Sequence, residues 1–403
     1  MIEQPELEAL VASQRSGWAL DQRFYTDPDI YQLELDRIIT RNWIMAGHVS
    51  QIPSVGDFLV FRLAGESAII VRGKDNQVRA FANVCRHRGS LVCLEERGSC
   101  RKFVCPYHGW SFDLEGKLIA ARSMADDFDK NAHGLHPVSL EVLGGMLFVC
   151  FCDDPPSLAD ARRDFTEPFA WLGFEDLKVA AQKTYPIPAN WKLAIENYQE
   201  CYHCATAHPE YSQMHTRKFD PERRDRMQEA MRQRMPECGL RHIDIDFIDT
   251  WASPGQQGYG YVRMALMEGY QTGSRSGEPL APLLGNLSGF DGGASDFTVG
   301  PFTFLLAYSD HVVAYVFSPV DHRNCTCQIY WLVRGDAVEG QDYDRDELMW
   351  LWDITTQADE KIIVNNWTGV CSRYYQPGPF SRMEVMEQRF IEWILQELVK
   401  TRD

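Results

Sequence analysis

The sequence predicts an α+β protein with three parts: a helical segment of residues 1–45, an all-β domain of residues 46–152, and a mixed domain of residues 153–403. Two observations lead to this division. Between residues 46 and 150, short apolar runs alternate with Gly, Asn and Asp turns, as in strands. Beyond residue 153, helical and strand patterns occupy separate stretches. The 403 residues, 45% of them apolar, are sufficient for two cores.

The first two parts follow in chain order. From Tyr31 to Ile39 the apolar residues recur on one helical face, so we expect an amphipathic helix that packs on the mixed domain. Strand-like runs begin at Phe58, Ser67 and Met146. Two Asp and two Pro at residues 153–156 indicate a linker to the third part.

The third part combines several helices with a group of strands. Strands are expected near residues 300–334, where apolar and aromatic residues dominate. The stretch 218–236 is charged and rich in Met and Arg, which indicates a surface helix or a lid. The remaining helices are predicted at residues 158–165, 192–208, 344–366 and 382–400.

The most informative motif lies in the all-β domain, where Cys85 and His87 are followed, after seventeen residues, by Cys105 and His108. A Rieske [2Fe–2S] centre uses this ligand set, because two His replace two Cys on one of its irons. A Cys₂His₂ zinc site has the same donor types, but it usually pairs Cys with Cys and His with His. The mixed pairs therefore favour the cluster, with zinc as the alternative.

A second motif, E-x-x-H-x₄-H, consists of Glu200, His203 and His208. Two imidazoles and one carboxylate bind iron in non-haem Fe(II) oxygenases and leave positions open for O₂. On a regular helix of about 3.6 residues per turn, His203 and His208 diverge by roughly 140°. We therefore expect a bend or bulge between them, which Pro209 favours.

Together, the segments 83–89, 105–110 and 190–204 resemble the α subunits of Rieske non-haem iron oxygenases, the ring-hydroxylating family. The resemblance implies that the Rieske domain is inserted in a catalytic domain of the helix-grip (START/SRPBCC-like) type. It also implies one [2Fe–2S] cluster and one Fe(II) in each subunit, with electrons entering at the cluster and O₂ reacting at the iron.

The same resemblance implies a third iron ligand far downstream. The family pattern places this carboxylate about three turns before the glycine that ends its helix, here Gly369. Asp359 is the residue at that position. Asp353 and Glu360, on the same predicted helix, remain alternatives.

Family members are trimers in which the cluster of one subunit lies beside the iron of its neighbour. On this basis we expect a homotrimer in which Glu200 bridges His203 to His108 of the partner subunit and carries electrons between them. The chain has no convincing nucleotide motif. NAD(P)H and flavin are therefore assigned to a partner reductase, which acts directly or through a ferredoxin.

The substrate is less well defined by the sequence. Glu200, where ring dioxygenases usually have Asp, resembles the carnitine, choline, glycine betaine and stachydrine oxygenases. Aromatic residues of the strand region could form a cage that binds a quaternary ammonium group by cation–π attraction. The candidates are Tyr259, Phe304, Tyr308 and Phe317. Hydroxylation or dihydroxylation of an aromatic compound is the alternative, and a non-catalytic electron-transfer or binding module is a third possibility.

Composition excludes several other classes of function. A net charge of −17 argues against binding to nucleic acid or to anionic membrane surfaces. No apolar run approaches 18 residues, and no signal peptide is recognisable, so we expect a cytoplasmic protein with reduced thiols. Cys201 and Cys204 are expected to be small packing residues, and no disulfide is expected at Cys93 or Cys100.

Overall fold

The computed structural model describes residues 2–215, 221–244 and 257–400. The chain forms two compact units, one of which is inserted in the sequence of the other. Trp43–Pro155 forms the inserted unit, and Met1–Asn42 together with Pro156–Asp403 forms the other, which we call the catalytic unit. The predicted limits of the all-β domain, 46–152, lie just inside those of the inserted unit.

The inserted unit is built from antiparallel strands. A seven-stranded sheet has the order β1-β10-β9-β4-β3-β2-β5, and a second sheet has the order β6-β7-β8. Large apolar side chains, among them Phe58, Ile69 and Phe112, pack beneath the two ligand loops. The strands are β1 (Ile44–His48), β2 (Asp57–Leu63), β3 (Glu66–Arg72), β4 (Val78–Ala82), β5 (Arg97–Ser99), β6 (Phe103–Val104), β7 (Ser111–Phe112), β8 (Leu118–Ala120), β9 (Pro137–Leu143) and β10 (Met146–Cys150).

The catalytic unit contains a six-stranded antiparallel sheet of order β11-β16-β15-β14-β13-β12. Its central strands are apolar along most of their length because both faces are covered. The strands are β11 (Leu177–Ile187), β12 (Tyr259–Ala265), β13 (Gly293–Val299), β14 (Thr303–Ala307), β15 (Val312–Asp321) and β16 (Asn324–Arg334).

The helices of this unit come from both ends of the chain. The N-terminal helices are α1 (Gln4–Ala12), α2 (Gln22–Thr26) and α3 (Pro28–Arg37). The later ones are α4 (Ala159–Trp171), α5 (Trp191–Gln199), α6 (Cys204–Ala207), α7 (Pro209–Met214), α8 (Pro221–Arg234), α9 (Arg345–Val370) and α10 (Val385–Val399). The long helix α9 contacts β11 and α5, so a helix lies along the sheet as the helix-grip prediction requires.

Local sequence signals account for the helices that carry the site. The side chain of Asp344 accepts hydrogen bonds from the N–H groups of Asp346 and Glu347 and thereby caps α9. Asn190 caps α5 in the same way. The predicted helix at 218–236 is confirmed by α8, although residues 218–220 lie outside the described residues. None of the described helices combines the length and the hydropathy needed to cross a bilayer.

Candidate metal centres and active site

The two cysteines of the first motif lie in turns of the same conformation. In each turn, the cysteine N–H donates to the carbonyl five residues later, and its own carbonyl accepts from the glycine N–H four residues later, over 2.8–3.0 Å. The glycines, Gly89 and Gly109, have φ values of 74° and 73°, which residues with a Cβ rarely adopt. Cys85 and Cys105 are buried as a result, at the base of the two loops.

The two histidines of the motif converge on each other. Nδ1 of His87 lies 3.1 Å from Nδ1 of His108. The His87 ring also stacks on Trp110, with 4.8 Å between ring centroids and 11° between planes, which fixes its orientation. The structure therefore brings Nδ1 of His87 close to Nδ1 of His108, and the Cys85 thiol within hydrogen-bonding distance of the Cys105 thiol.

Backbone N–H groups in both loops donate hydrogen bonds to the two cysteine sulfurs. In each loop, the N–H groups two and three residues after the cysteine donate to its sulfur. Burial nevertheless raises the pKa of Cys85, with a further contribution from the neighbouring Cys105 thiol. Burial also opposes ionisation of Cys105, but the backbone donors outweigh it and lower the pKa of that thiol. Such donors are suited to the thiolate and sulfide charges of an iron–sulfur cluster.

The second motif lies where helical structure is interrupted. Helix α5 ends at Gln199, and Glu200 is extended. Helix α6 begins after His203 and ends before His208, whose φ and ψ are −143° and 83°. We expected a bend between the two histidines, but residues 204–207 are helical, and the interruption falls at His208 itself, where α6 ends and α7 begins. The helix thus ends at the second histidine, and both rings turn towards Asp359.

Asp359, the residue predicted as the third iron ligand, contacts both histidines. The Oδ1 atom of Asp359 lies 3.3 Å from Nε2 of His203 and 3.1 Å from Nε2 of His208. Three donor atoms that occupy one face of an octahedral ion, at bonds of about 2.1 Å, are separated by about 3 Å, so this spacing suits one metal ion. Asp353 instead pairs with Lys183 and Tyr185, at 2.5 Å each.

The charges at this site reinforce one another. Burial lowers the pKa of His203, but the carboxylates of Asp359 and Glu200 outweigh burial and raise it to about 9. Burial raises the pKa of Asp359, but hydrogen bonds from His203 and His208 more than compensate and lower it. A divalent cation bound between the two histidines and Asp359 would displace the proton that lies between the imidazoles and this carboxylate.

Glu200 braces the first histidine from the side away from Asp359. Its Oε1 lies 2.5 Å from Nδ1 of His203, and its Oε2 accepts the backbone N–H groups of Tyr202 and His203. A carboxylate in this position fixes the imidazole tautomer and raises the basicity of the other nitrogen. The sequence analysis expected Glu200 to contact His203, and the structure contains this contact.

A cavity of about 50 Å³ adjoins the His203, His208 and Asp359 side chains. This volume admits a few water molecules. Aromatic side chains contribute much of its wall, and Asp296 of β13 adds a carboxylate. The aromatic lining residues are Tyr198, Tyr211, Tyr315 and Trp352.

The four aromatic residues predicted as substrate contacts do not line this cavity, which corrects that assignment. The hydroxyl of Tyr259 donates to Asp164, and that of Tyr308 lies 3.1 Å from Nε2 of His215. Phe304 and Phe317 pack against Tyr198 from outside the cavity wall, at 4.3 Å and 5.6 Å between ring centroids. Strand aromatics in this unit serve mainly as core residues, as is common in sheets.

A signal for three of the actual lining residues was present in the helices. Tyr211 follows His208 by three residues, and Trp352 precedes Asp359 by seven, so each shares a helix face with a predicted ligand. Tyr198 lies in the last turn of α5, just before the ligand motif. Helical spacing from the ligands would have identified these residues better than strand composition did.

Cys201 and Cys204 form a disulfide, so the prediction of reduced packing residues is wrong. We had placed the two side chains on a continuous helix. Because α5 ends at Gln199, the turn that follows brings their Cα atoms to 4.9 Å and directs both sulfurs to the same side. Cys93 and Cys100 are free thiols. Although Cys204 Sγ lies near both histidines, a sulfur held in a disulfide is not a thiolate, which leaves Asp359 as the better third ligand.

Comparison with known proteins gives a family match for each of the two units. Residues 42–138 match the family described as the Rieske [2Fe–2S] domain, and residues 174–399 match the ring hydroxylating alpha subunit (catalytic domain). The glycine betaine monooxygenase oxygenase subunit of Pseudomonas aeruginosa is 33% identical over 396 residues, which cover 97% of this chain and 91% of that protein. The chain belongs to the ring-hydroxylating oxygenase α subunits.

Two further proteins are similar to this oxygenase. The carnitine monooxygenase oxygenase subunit of Escherichia coli is 36% identical over 209 residues, which cover 51% of this chain and 56% of that protein. A solved quaternary ammonium Rieske monooxygenase, described in connection with carnitine oxidation and inter-subunit electron transfer, has a TM-score of 0.73. It is 22% identical and covers 97% of this chain and 98% of that chain. The predicted fold class is thereby confirmed.

As a Rieske oxygenase, the protein uses a [2Fe–2S] cluster and a non-haem iron, and it depends on a reductase for electrons. The donor sets described above fit these groups. Two thiols with backbone donors and two convergent imidazoles suit the cluster. Two imidazoles and one carboxylate around a cavity suit an iron that must keep positions open for O₂.

Proposed function

We propose that this α subunit is the terminal oxygenase of a system that hydroxylates or N-demethylates a small quaternary ammonium compound of the betaine type. The observation that carries the proposal is the aromatic and acidic cavity next to His203, His208 and Asp359. The aromatic side chains that line it are Tyr198, Tyr211, Tyr315 and Trp352. The names of the similar glycine betaine and carnitine monooxygenase subunits agree with this substrate class.

The charge of the cavity wall favours a cationic substrate over an aromatic acid. Glu200, Asp296 and Asp359 are acidic, and the described lining includes no Lys or Arg. A quaternary ammonium group gains about 0.5–2 kcal/mol from an aromatic ring by cation–π attraction. An aromatic carboxylate would bring the same negative charge as the carboxylate of a betaine, but without a cationic group that the acidic wall can attract.

We assign the metals to the residues that converge at the two centres. Cys85, His87, Cys105 and His108 hold the cluster, whose neutral imidazoles give it a higher potential than a four-cysteine ferredoxin. The mononuclear Fe(II) is assigned to three further ligands, His203, His208 and Asp359. When bound, this iron supplies the activation of O₂.

The overall reaction consumes the substrate, O₂, two electrons and two protons, and it yields a hydroxylated product and water. When the oxidised carbon is bonded to nitrogen, the C–O bond forms at that carbon, and the C–N bond of the resulting hemiaminal then breaks. The products are an aldehyde and an amine with one substituent fewer, and a proton is released. The role of the lining rings is to bind the ammonium group and to present one N-alkyl carbon to the open side of the iron ligands.

Electrons come from NAD(P)H through a flavin-containing partner reductase, directly or through a ferredoxin, in the cytoplasm. We propose a homotrimer in which Glu200 links His203 to His108 of the partner subunit. The contact between Glu200 and Nδ1 of His203 supports one half of this bridge. The inter-subunit electron transfer described for the similar solved structure agrees with the other half.

One experiment tests the substrate class. The purified protein, with a surrogate reductase and NADH, is incubated with glycine betaine, carnitine, choline and an aromatic acid. We expect aldehyde release that is coupled to O₂ consumption with at least one of the three amines. A cis-diol or a phenol from the aromatic acid, without aldehyde from any amine, would contradict the proposal. A protein that accepts electrons but oxidises none of these compounds would indicate a carrier instead.

A second experiment tests the bridge. Two inactive variants, Cys105→Ser and His203→Ala, are dissociated and co-assembled. If electrons cross between chains, mixed trimers regain activity, because some interfaces pair an intact cluster with an intact iron site. Mixed trimers that are verified by mass and remain inactive would show transfer within one chain.

A further inference from the structure

The disulfide between Cys201 and Cys204 brackets one of the proposed iron ligands and lies on the wall of the cavity. His203 stands between the two cysteines in the sequence, and both cysteines line the cavity together with Asp359. The Sγ atom of Cys204 lies 4.0 Å from Nε2 of His203, the nitrogen that approaches Asp359. One ligand atom from each of His203, Cys204 and His208 lies within 4.8 Å of the other two. The disulfide therefore contains a sulfur that is close enough to join the metal ligands.

Mechanical bracing of the turn is a weak explanation for this disulfide. The two cysteines are three positions apart in the sequence. The entropy that a disulfide removes from the unfolded chain grows with the length of the loop it closes, so this bridge stabilises the fold less than a long-range one. We place the protein in the cytoplasm, where disulfides are rare and those that occur are usually transient, catalytic or redox-sensing. A redox role therefore explains this pair better than a structural one.

The oxidation state of Cys204 decides which donor atoms surround the metal. In the disulfide state the donors are two imidazoles and one carboxylate, which suit Fe(II). After reduction, the Cys204 thiolate adds a soft sulfur donor, and a set of one cysteine, two histidines and one carboxylate suits Zn²⁺. A tetrahedral ion with bonds of about 2.3 Å to sulfur and about 2.1 Å to nitrogen separates these two atoms by about 3.6 Å. The observed 4.0 Å between Cys204 Sγ and His203 Nε2 is close to this distance.

We propose that Cys201 and Cys204 form a thiol–disulfide switch that sets the metal preference of the mononuclear site, with iron bound in the disulfide state and zinc in the dithiol state. This inference rests on the proposed iron ligands and not on the proposed substrate. Opening the S–S bond takes two electrons and two protons, which a dithiol reductant supplies as it closes its own disulfide. Closing the bond again releases two electrons and two protons, which reduce one hydrogen peroxide to two waters. Zinc has no redox chemistry, so the dithiol state is inactive.

The test measures Zn²⁺ binding to protein that retains its cluster but has lost its mononuclear iron to a chelator. Zn²⁺ is titrated by calorimetry into the disulfide form and into protein that has been reduced with a phosphine and freed of excess reagent. We expect reduction to strengthen Zn²⁺ binding by at least about tenfold, because the thiolate becomes available, and hydrogen peroxide to restore the weaker binding. X-ray absorption at the zinc edge, where the iron of the cluster does not contribute, should show a sulfur neighbour in the reduced protein alone.

Two single variants separate the roles of the two cysteines. Both remove the disulfide, but Cys201→Ser leaves the thiol of Cys204, whereas Cys204→Ser leaves the thiol of Cys201. Without any reductant, Cys201→Ser should bind Zn²⁺ as tightly as the reduced wild type and should show the sulfur neighbour. Cys204→Ser should bind Zn²⁺ as weakly as the disulfide form. Equal affinities in the two variants, or a disulfide that resists the phosphine in the folded protein, would overturn the inference.

Failure of the proposed iron site has a different signature. The His208→Ala variant would then keep its mononuclear iron in the disulfide form, whatever the two cysteine variants do. A wrong substrate class leaves the test unaffected, because none of its measurements uses turnover.

Discussion

Breaking the buried ion pair between Glu34 and Lys192 should be one of the most destabilising single changes in the catalytic unit. Both side chains are fully buried, and Nζ of Lys192 lies 2.6 Å from Oε1 of Glu34. The second carboxylate oxygen accepts the indole N–H of Trp191. Burial raises the pKa of Glu34 and lowers that of Lys192, so each charge depends on the other.

Removal of one partner leaves the other as an uncompensated buried charge, which costs about 3–5 kcal/mol. We therefore expect Lys192→Met and Glu34→Gln each to destabilise the protein by about this amount. The catalytic unit has about 290 residues, and unfolding entropy is about 2.1 cal/mol/K per residue, so Tm should fall by about 5–8 °C.

The double variant separates charge from packing. Glu34→Gln with Lys192→Met leaves no charge at this position, and the glutamine oxygen still accepts from Trp191. Calorimetry should show its Tm well above that of either single variant, because a neutral pair of similar volume is often as stable as a buried ion pair. The iron content of the variants should follow the same order, since Lys192 lies at the start of the helix that precedes the proposed ligands His203 and His208. Single variants that melt within about 2 °C of the wild type, or a double variant that melts below both, would refute this reasoning.

Three further predictions concern the metal site and its surroundings. Asp359→Asn should lose the mononuclear iron and keep the absorbance of the cluster, so that the iron content falls from three atoms to two per subunit. The control variant Asp353→Asn should keep three iron atoms. Equal iron contents in the two variants would contradict the ligand assignment. Burial and nearby carboxylates raise the pKa of Glu387 to about 10, so its contribution to stability is present below about pH 4.5 and is lost as pH rises towards 10. Calorimetric Tm of Glu387→Gln should therefore decline less than that of the wild type between pH 5 and 9, and parallel declines would argue against a buried neutral acid. A thiol titration of the metal-free, denatured wild type should count ten free thiols before reduction and twelve after it. The double variant Cys201→Ser with Cys204→Ser should give ten under both conditions. Twelve free thiols in the unreduced wild type would exclude the disulfide.

The two metal-ligand motifs could be predicted from sequence because their information is local. The offsets of Cys85, His87, Cys105 and His108 require mixed ligand pairs on two loops, and the structure has them. The five-residue spacing of His203 and His208 cannot converge on a regular helix, and the structure ends its helices there. In both cases, the requirement is a property of spacing alone.

The cavity wall could not be predicted in the same way, because it depends on which faces meet after folding. Phe304 and Phe317 have the composition expected of a cage, yet they pack behind Tyr198. The disulfide at Cys201 and Cys204 also depends on the exact residue at which α5 ends. Helix ends are difficult to locate from sequence to within a residue, and a shift of one turn changes which side chains meet.

The insertion of one unit in the sequence of the other has a consequence for the order of events during synthesis. All contacts within Trp43–Pro155 are available as soon as that segment has been translated, because it is continuous. Glu34 must wait for Lys192, 158 positions later, and His208 must wait for Asp359, 151 positions later. Closing such long loops slows folding. The nascent chain can therefore present a complete cluster-binding domain to iron–sulfur assembly factors while the pocket for the second metal does not yet exist.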